Sequence, residues 1–284
     1  MTELRLGTSA FVASGWQGSF YPVGMKSADY LTYYATKFDT VEVDSTFYRA
    51  PSVATVSGWE RKTPPGFKLA AKVPQIITHE KVLQNCDDDL KQFLDTMDLM
   101  GEKLGPLLFQ FGHFNSTVFR SGKEFLARLA PFLSKLPKDH HFALEIRNKW
   151  WLDADFFDLL RVHNVAYALT ERSFMPGPNE IFVKFDPITA DFAYIRWLGD
   201  RIGIERITRV WNRIVVDRTA EMTSWVDVCK KIQRRGVTIY GYFNNHYAGF
   251  GPASVQLFRD MCIKNGLEFP TVAPPPVIER TLFD

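Results

Sequence analysis

Short apolar segments alternate with helical segments along the whole of this chain, and that alternation limits the folds that it can adopt. The apolar segments are typical of strands, and they occupy residues 4–9, 40–44, 67–72, 106–111, 141–147, 165–169, 191–197 and 237–242. Their interiors are largely apolar, as in a parallel sheet that helices cover. The spacing of these segments is close to the ~30 residues of each unit in a (β/α)8 barrel.

We therefore predict the α/β class and a single (β/α)8 TIM-like barrel over residues 1–284, with a Pro-rich C-terminal tail that starts at residue 270. No linker or change of composition divides the chain into domains. A doubly wound open sheet is the alternative. It is disfavoured because no GxGxxG pattern follows the first strand, as a dinucleotide-binding fold would require.

Helical periodicity appears between the strands, at residues 27–37, 51–62, 87–103, 122–133, 153–163, 205–235 and 252–265. The helix at 205–235 is expected to break near residues 217–219. The Pro- and Gly-rich residues 172–187 have no clear pattern, and residues 181–185 within them could form a short extra strand.

Composition excludes several classes of protein. Hydrophobic residues make up 46% and charged residues 23% of the chain, which is globular composition, and the net charge of +2 does not by itself indicate nucleic acid or membrane. No apolar run approaches the ~18 residues of a spanning helix. We therefore expect no membrane partner. The three cysteines are far apart and odd in number, so we expect free thiols and a cytoplasmic location.

Two carboxylates interrupt apolar strands and are the sharpest candidates for chemistry. Glu42 lies in a Val-Glu-Val run and Glu145 in a Leu-Glu-Ile run. A carboxylate buried in a sheet is costly unless it is paired or used. We select both, together with His79 of the loop expected at residues 74–83, as catalytic candidates.

Polar and aromatic side chains gather where the strands end, whereas the middles of the strands are apolar. In a barrel of this kind the active site lies at the carboxyl ends of the strands. Aromatic rings beside basic groups can stack bases or sugars, although we expect many of them to be packing instead. The predicted substrate-binding residues are Lys72, Arg147, Arg196, Gln110, Thr46, Tyr48, Trp16, Asn244 and Asn245.

The basic residues Lys72, Arg147 and Arg196 come from strands three, five and seven, and they leave two interpretations open. In the first, they hold a carboxylate or phosphate, and the charge cluster shifts the pKa values of Glu42 and Glu145 so that these act as acid or base. In the second, the same charges form structural ion pairs that keep the mouth of the barrel rigid.

The loop after strand eight could bind an anion. Barrels often bind phosphate there, at the N-terminus of a following helix. Gly249 and Gly251 would let backbone amides approach the anion, although Pro252 removes one donor. Asp44, by contrast, is expected to be a turn residue that satisfies loop amides.

The histidines do not form a recognisable metal signature. His79, His113 and His246 could in principle converge with Glu42 or Glu145 on a divalent metal, but they share no compact spacing such as HExxH. We therefore assign no metal ligands and leave the cofactor unknown, with a divalent metal as the alternative. The remaining three histidines lie at the opposite end of the strands and are expected to be structural.

The chain resembles the YecE-like family, also called the domain of unknown function 72. The resemblance covers nearly the whole chain and implies a TIM-like barrel, found mainly in prokaryotes, with no established activity. The segments at 110–113 and 172–185 depart from the usual pattern. The motifs that carry the resemblance are Gly7-Thr-Ser9, Trp16 with Phe20-Tyr-Pro22, Phe38-Asp-Thr-Val-Glu-Val-Asp-Ser-Thr-Phe-Tyr48, Lys72 with Ile77-Thr-His-Glu-Lys81, Leu104-Gly-Pro-Leu-Leu-Phe-Gln110, Leu144-Glu-Ile-Arg147, Phe192-Ala-Tyr-Ile-Arg196 and Tyr242-Phe-Asn-Asn245.

Two functions are consistent with these residues. The first is an enzyme that acts on an anionic substrate, a phosphorylated sugar or a nucleic-acid-derived compound, by phosphoester hydrolysis or sugar isomerisation. The second is a non-catalytic module that binds a nucleic acid or a metabolite. Both place a phosphate or another anion at the carboxyl ends of the strands, and both leave the oligomeric state open.

Overall fold

The computed structural model describes residues 2–270, and the expected Pro-rich tail beyond residue 270 lies outside the described residues. Eight parallel strands form one sheet, hydrogen-bonded in the order β2-β3-β4-β5-β6-β7-β8-β1. This is the predicted (β/α)8 barrel. The strands are β1 (Leu4–Thr8), β2 (Thr40–Val43), β3 (Lys68–Lys72), β4 (Leu104–Gln110), β5 (Phe142–Glu145), β6 (Val165–Glu171), β7 (Phe192–Trp197) and β8 (Thr238–Phe243).

Helices follow the strands and cover the outside of the barrel. Within residues 2–270, no helix is both long enough and apolar enough to cross a membrane. Short 3-10 turns occur at Ser27–Asp29, Asp44–Phe47, Asp98–Lys103 and Lys149–Trp151. The α-helices are α1 (Tyr30–Tyr34), α2 (Val53–Lys62), α3 (Asp87–Met97), α4 (Gly122–Leu133), α5 (Ala154–Val162), α6 (Pro178–Lys184), α7 (Arg201–Ile207), α8 (Thr219–Gln233), α9 (Asn245–Ala248) and α10 (Gly251–Lys264).

Three local predictions differ from the structure, one of them completely and two in part. The extra strand expected at residues 181–185 is part of α6, where Pro178 in the first turn loses no intrahelical hydrogen bond. The helix expected at 205–235 does break before residue 219, as predicted, but the irregular segment is longer, residues 208–218, and the first of the two helices, α7, begins earlier, at Arg201. The loop at 74–83 contains one turn of π-helix, Ile76–Glu80, and this turn carries His79.

The interior of the barrel is filled unevenly. Small side chains from β3, β5 and β6 face bulky aromatic side chains from β7 and β8, so that the two sets together occupy the space inside the strands. A larger apolar cluster lies between the strands and the surrounding helices. The interior cluster is Ala70, Leu108, Ala143, Ala166, Ala168, Phe192, Tyr194, Tyr240 and Tyr242.

A side chain joins the two ends of the sheet. Among the described strands, β1 has a backbone ladder with β8 but none with β2. Instead the Tyr34 hydroxyl of α1 accepts from the Thr8 amide at 2.8 Å and donates to the Thr40 carbonyl at 3.2 Å. Gly7 permits this close approach, since a Cβ atom there would lie 2.0 Å from the Thr40 carbonyl oxygen. The barrel therefore closes through a tyrosine at the β1–β2 seam.

All three cysteines are buried free thiols. Cys229 lies in α8 and Cys262 in α10, and Cys86 immediately precedes α3. The predicted absence of a disulfide framework is confirmed for these three residues.

We expect Tyr34→Phe to lower the free energy of unfolding by about 1–3 kcal/mol, because it leaves a buried amide and a buried carbonyl without their partner. Equilibrium unfolding in urea measures this. Tyr33→Phe is the matched control, because Tyr33 is on the same helix, is only half-buried, and its hydroxyl makes no hydrogen bond within the described residues. Equal stability of the two variants would contradict the role of Tyr34 in the seam.

Candidate functional site

A cavity of about 540 Å³ opens at the carboxyl ends of the strands, which is where the active site of a barrel lies. We call it the mouth cavity. It receives residues that follow most of the strands, and its lining is rich in charge. The lining residues are Asp44, Phe47, Tyr48, Lys72, Gln75, His79, Gln110, Arg147, Arg172, Arg196, Leu198, Gly199, Arg201, Asn244 and His246.

Arg196 forms the floor of the mouth cavity and binds both of the carboxylates that interrupt apolar strands. Its Nε and Nη2 atoms donate to Glu42 Oε1 at 3.1 and 2.7 Å. Its Nη1 atom donates to Glu145 Oε2 at 2.5 Å. All three side chains are almost fully buried, with at most 2% of each exposed. One guanidinium group therefore links β7 to β2 and to β5 across the barrel.

The remaining oxygens of the two carboxylates are also occupied. Tyr194 donates its hydroxyl to Glu42 Oε2 at 2.6 Å. Arg147 donates through Nε to Glu145 Oε1 at 3.3 Å. Neither Glu42 nor Glu145 lines the mouth cavity. The predicted catalytic carboxylates thus lie beneath the floor, in ion pairs.

Burial and charge act on these carboxylates with different results. Burial alone would raise the pKa of Glu145, but the positive charges of Arg196, Arg147 and Lys72 outweigh it and hold the pKa at about 2. Burial raises the pKa of Glu42 against the attraction of Arg196. The stabilisation from Glu145 is complete above its ordinary pKa of 4.5 and is lost as the pH falls through about 2. Glu145 is therefore a permanent anion at neutral pH, and a poor general acid.

Asp44 begins the 3-10 turn Asp44–Phe47, as expected of a turn residue, but its side chain contacts cations of the mouth cavity and not the loop amides that were predicted. Its Oδ1 atom is 3.1 Å from Lys72 Nζ and 3.4 Å from Arg196 Nη2. About 30% of its side chain is exposed. Lys72 also donates to Gln110 Oε1 at 3.4 Å. Asp44 is thus a carboxylate that a ligand in the mouth cavity can reach.

Two guanidinium groups in the lining have N–H donors without a hydrogen-bond partner in the described residues. Arg147 uses Nε on Glu145, and its two terminal nitrogens have no hydrogen-bond partner in the described part of the chain. Arg172 has a buried Nε with no partner, and its guanidinium lies over the Phe174 ring at 4.7 Å. Burial and then the charge of Arg147 lower the pKa of Arg172 to about 10, which leaves it charged at neutral pH.

Arg172 is a site residue that the sequence reasoning missed. Strand six was predicted to end at residue 169, but β6 continues to Glu171 and so places Arg172 at the rim. The signal was present in the sequence, because the apolar run is followed by Thr170, Glu171 and Arg172, the same polar strand end that marks the other strands.

His79 faces the same cavity from the π-helical turn after β3. Its Nδ1 atom is 2.8 Å from the Thr78 hydroxyl, and its ring packs edge-on against Phe47. Its Nε2 atom has no hydrogen-bond partner among residues 2–270. Burial, followed by the charges of Arg147 and Lys72, lowers the pKa of His79 below 6.5. The ring is therefore neutral at pH 7.

Three predicted binding residues, Trp16, Thr46 and Asn245, make contacts within loops and do not line the mouth cavity, whereas Asn244 and Tyr48 do line it. Trp16 is buried and donates to Asn245 Oδ1 at 3.2 Å. Thr46 is also buried and donates to the Lys72 carbonyl at 2.7 Å. Asn244 lines the cavity but donates to Ser9 at 2.9 Å, while Tyr48 stands on the rim with 74% of its surface exposed.

The expected anion cradle after β8 is already satisfied internally. The Gly251 amide donates to Asn245 Oδ1 at 2.9 Å, and the Gly249 amide donates to the Asn245 carbonyl at 2.7 Å. Gly249 has a φ of 106°, which ends α9 in a left-handed conformation. Both glycines are therefore used to shape the loop, and neither amide is available to an anion.

The histidines do not converge on Glu42 or Glu145. His113 is exposed, and His246 is held by Glu205 at 3.0 Å. Across residues 2–270 there is no group of three His, Cys, Asp or Glu side chains arranged to hold a metal ion. At the opposite end of the barrel, His140 bonds Asp98 at 2.7 Å, as expected of a structural residue.

A family model described as "Protein of unknown function DUF72" matches residues 5–277. The chain belongs to the DUF72 family. The predicted resemblance is therefore confirmed, and it extends over the barrel and the mouth cavity alike.

Relatives in Escherichia coli and Bacillus subtilis support this membership. The chain is 30% identical over 115 residues to UPF0759 protein YecE of Escherichia coli K12, which is 40% of each chain. It is 29% identical over 153 residues to UPF0759 protein YunF of Bacillus subtilis, or 51% of this chain and 52% of that one. The chain thus spans about half or less of the length of these two relatives.

Solved DUF72 structures share the fold. A DUF72 family protein of Thermotoga maritima superposes with a TM-score of 0.70 at 26% identity, covering 91% of this chain and 98% of that one. A DUF72 family protein of Enterococcus faecalis gives a TM-score of 0.64 at 18% identity, covering 93% and 98%. The second similarity shows the fold alone.

Arg196→Met should lower the free energy of unfolding by about 3–5 kcal/mol, because it leaves two buried carboxylates without their cation. Urea denaturation at pH 7 measures the loss. Arg201→Met is the control, because Arg201 is an exposed partner of Glu205 whose removal should cost less than about 1 kcal/mol. If Arg196→Met does not fold while Arg201→Met does, the ion pairs of Arg196 are also shown to be essential. A loss of unfolding free energy as small as that of Arg201→Met would contradict the structural role of these ion pairs.

Proposed function

We propose that this DUF72 barrel binds a phosphorylated small molecule in the mouth cavity and moves a proton on it through His79. The observation that carries the proposal is the pair of guanidinium groups, Arg147 and Arg172, which line a cavity of about 540 Å³ and which both have N–H donors without a partner in the described residues. We also propose a cytoplasmic location, which the three buried free thiols support.

The charge balance in the mouth cavity favours an anion. Glu42 and Glu145 are taken up by Arg196, and Asp44 is taken up mainly by Lys72. Arg147 is only partly compensated, through one long contact with Glu145, and Arg172 has no carboxylate within salt-bridge distance among the described residues. Phosphate offers several oxygens to planar guanidinium forks, which makes it a better match than a neutral ligand.

Phosphorylated ligands also fit the remaining lining. Lys72, Gln110, Tyr48 and Asn244 from the predicted binding set line the cavity beside the two guanidinium groups. Gln110 and Tyr48 add an amide and a phenol that can bond hydroxyl groups of the non-phosphate part. A cavity that combines cations with neutral polar groups suits a phosphorylated sugar or a nucleic-acid-derived compound.

His79 is the side chain best placed to move a proton at neutral pH. It is neutral there because its pKa is lowered, and its Nε2 atom is unpaired within residues 2–270. Proton transfer by a positioned imidazole typically contributes a factor of ~100 to 10,000 to a rate. Asp44, reachable and negatively charged, is the second proton acceptor in the mouth cavity.

A binding module without catalysis is the second candidate, and one observation favours it. Glu42 and Glu145, the two carboxylates most like a catalytic pair in the sequence, are both fixed in ion pairs below the floor. The two candidates share the phosphate site and differ only in the role of His79.

Arg147→Met should weaken the binding of ribose 5-phosphate by about 10- to 100-fold, since a hydrogen bond to a charged group is worth ~1.5–3 kcal/mol. Isothermal titration calorimetry at constant ionic strength measures this. Arg234→Met, an exposed residue that ends α8 at the far end of the barrel, removes the same charge without touching the mouth cavity. Equal affinities for the two variants, or no binding of phosphorylated compounds to the wild-type protein, would refute the phosphate site.

His79→Gln should leave the dissociation constant of a bound sugar phosphate within about threefold and lower its turnover by ~100-fold or more. Release of phosphate and isomerisation of the sugar are both followed. Because the pKa of His79 is lowered, the wild-type rate should fall on the acid side with a midpoint below pH 6.5, the ordinary value for histidine. Ligands that bind without any turnover, or a variant that turns over at the wild-type rate, would select the binding module.

A further inference from the structure

A second cavity of about 400 Å³ lies beside the mouth cavity. We call it the side cavity. Its lining includes the aromatic rings of Trp150 and Phe174, the flexible Met175, and the charged Lys149, Glu180 and Lys184. The ion pair in the mouth floor uses none of these residues, and the resemblance to known proteins assigns them no role.

The same two strand ends build both cavities. After β5, Arg147 lines the mouth cavity, and Lys149 and Trp150 line the side cavity. After β6, Arg172 lines the mouth cavity and Phe174 lines the side cavity. Since β5 and β6 are hydrogen-bonded neighbours, the two cavities are adjacent. A ligand held at Arg147 and Arg172 would therefore have the side-cavity residues next to it, two residues further along each loop.

Arg172 connects the two cavities physically. Its guanidinium lies 4.7 Å from the centroid of the Phe174 ring while its Nε remains unpaired. Cation–π contact orients the guanidinium but satisfies none of its N–H donors. Arg172 thus lines the mouth cavity and also contacts an aromatic ring that lines the side cavity.

The aromatic rings of the side cavity are unusually exposed. Trp150 has 85% of its surface exposed and Phe174 has 44%. Lys149 Nζ lies 4.8 Å from the Trp150 centroid. Lys184 is paired with Glu180 at 2.8 Å, so Lys149 and Arg172 determine the charge of the surface near the rings. Exposed aromatic rings beside unpaired cations are the features with which proteins stack and neutralise nucleotides.

We propose that the side cavity stacks the base of a nucleotide whose phosphate occupies the mouth cavity. This inference rests on the proposed phosphate site and names the class of its ligand. Trp150 and Phe174 offer the stacking surfaces, and Lys149 and Arg172 attract the phosphate. The shared chemistry is one base joined through a sugar to one phosphate, whether that unit is a free nucleotide or the end of a single strand.

Calorimetric titrations with three probes test the inference. Ribose 5-phosphate has no base, adenosine 5′-monophosphate has one, and a 5′-phosphorylated tetrathymidylate extends the chain. Trp150→Ala and Phe174→Ala are compared with Phe269→Ala. This control removes a ring that also lies beneath an arginine, Arg259, at 4.5 Å, but it does so away from both cavities.

In the expected result, each of the two side-cavity variants weakens the mononucleotide by about 5- to 100-fold, the range that loss of one base–aromatic stack produces. The dissociation constant of ribose 5-phosphate should change by less than twofold in these variants. Phe269→Ala should leave the dissociation constants of both compounds unchanged. Tighter binding of the tetranucleotide with the same dependence on both rings identifies a strand end. Equal or weaker binding identifies a free nucleotide.

Two results overturn the inference and leave the phosphate site in place. In the first, Arg147→Met weakens the binding of all three probes, while the side-cavity variants bind each probe with wild-type affinity. In the second, Trp150→Ala and Phe174→Ala weaken the binding of ribose 5-phosphate as much as that of the mononucleotide, so that the rings contact the sugar phosphate and not a base. If no probe binds the wild-type protein, the phosphate site fails and the inference fails with it.

Discussion

The ion pairs of Arg196 with Glu42 and Glu145 are the contacts on which the mouth of this barrel depends. A single guanidinium group ties three strands together, in a place where water cannot replace any of the partners. Buried ion pairs stabilise little compared with well-packed apolar residues, but breaking one is costly. Their contribution is therefore geometric. They fix the carboxyl ends of β2, β5 and β7 relative to one another, and so they set the shape of the cavity above.

The same ion pairs also determine where positive charge is available. Because Arg196 takes up both glutamates, Arg147 and Arg172 are left undercompensated at the rim. The carboxylates that looked catalytic thus support the site from below, and the proton-transfer positions that we propose are His79 and Asp44 in the mouth cavity. The buried ion pairs of Arg196 and the charges at the rim are therefore linked. Because the two glutamates are paired with Arg196, they do not fully neutralise Arg147 and Arg172.

Much of this architecture could be predicted from the sequence, because strand–helix alternation is a local signal. The positions of Glu42, Glu145, Lys72, Arg147 and Arg196 at strand ends followed from it directly. Ion pairing among them was one of two open interpretations, but the specific partners of Arg196 could not be predicted, since they are more than fifty residues away in the chain. Arg172 was missed because strand six was ended two residues early. The anion loop at Gly251 failed because a side chain, Asn245, reaches back to its amide.

The seam at Tyr34 has a consequence for the order of assembly. In the described residues, β1 is made before every other strand, yet its backbone ladder is with β8 alone, from Leu4 opposite Ile239 to Thr8 opposite Phe243. During synthesis the backbone hydrogen bonds of β1 therefore cannot form until β8 has been made. Contacts between such distant parts of a chain slow folding. The contacts of the Tyr34 hydroxyl, by contrast, join β1 to β2 across only 26 and 6 residues of chain, so they do not depend on the synthesis of β8.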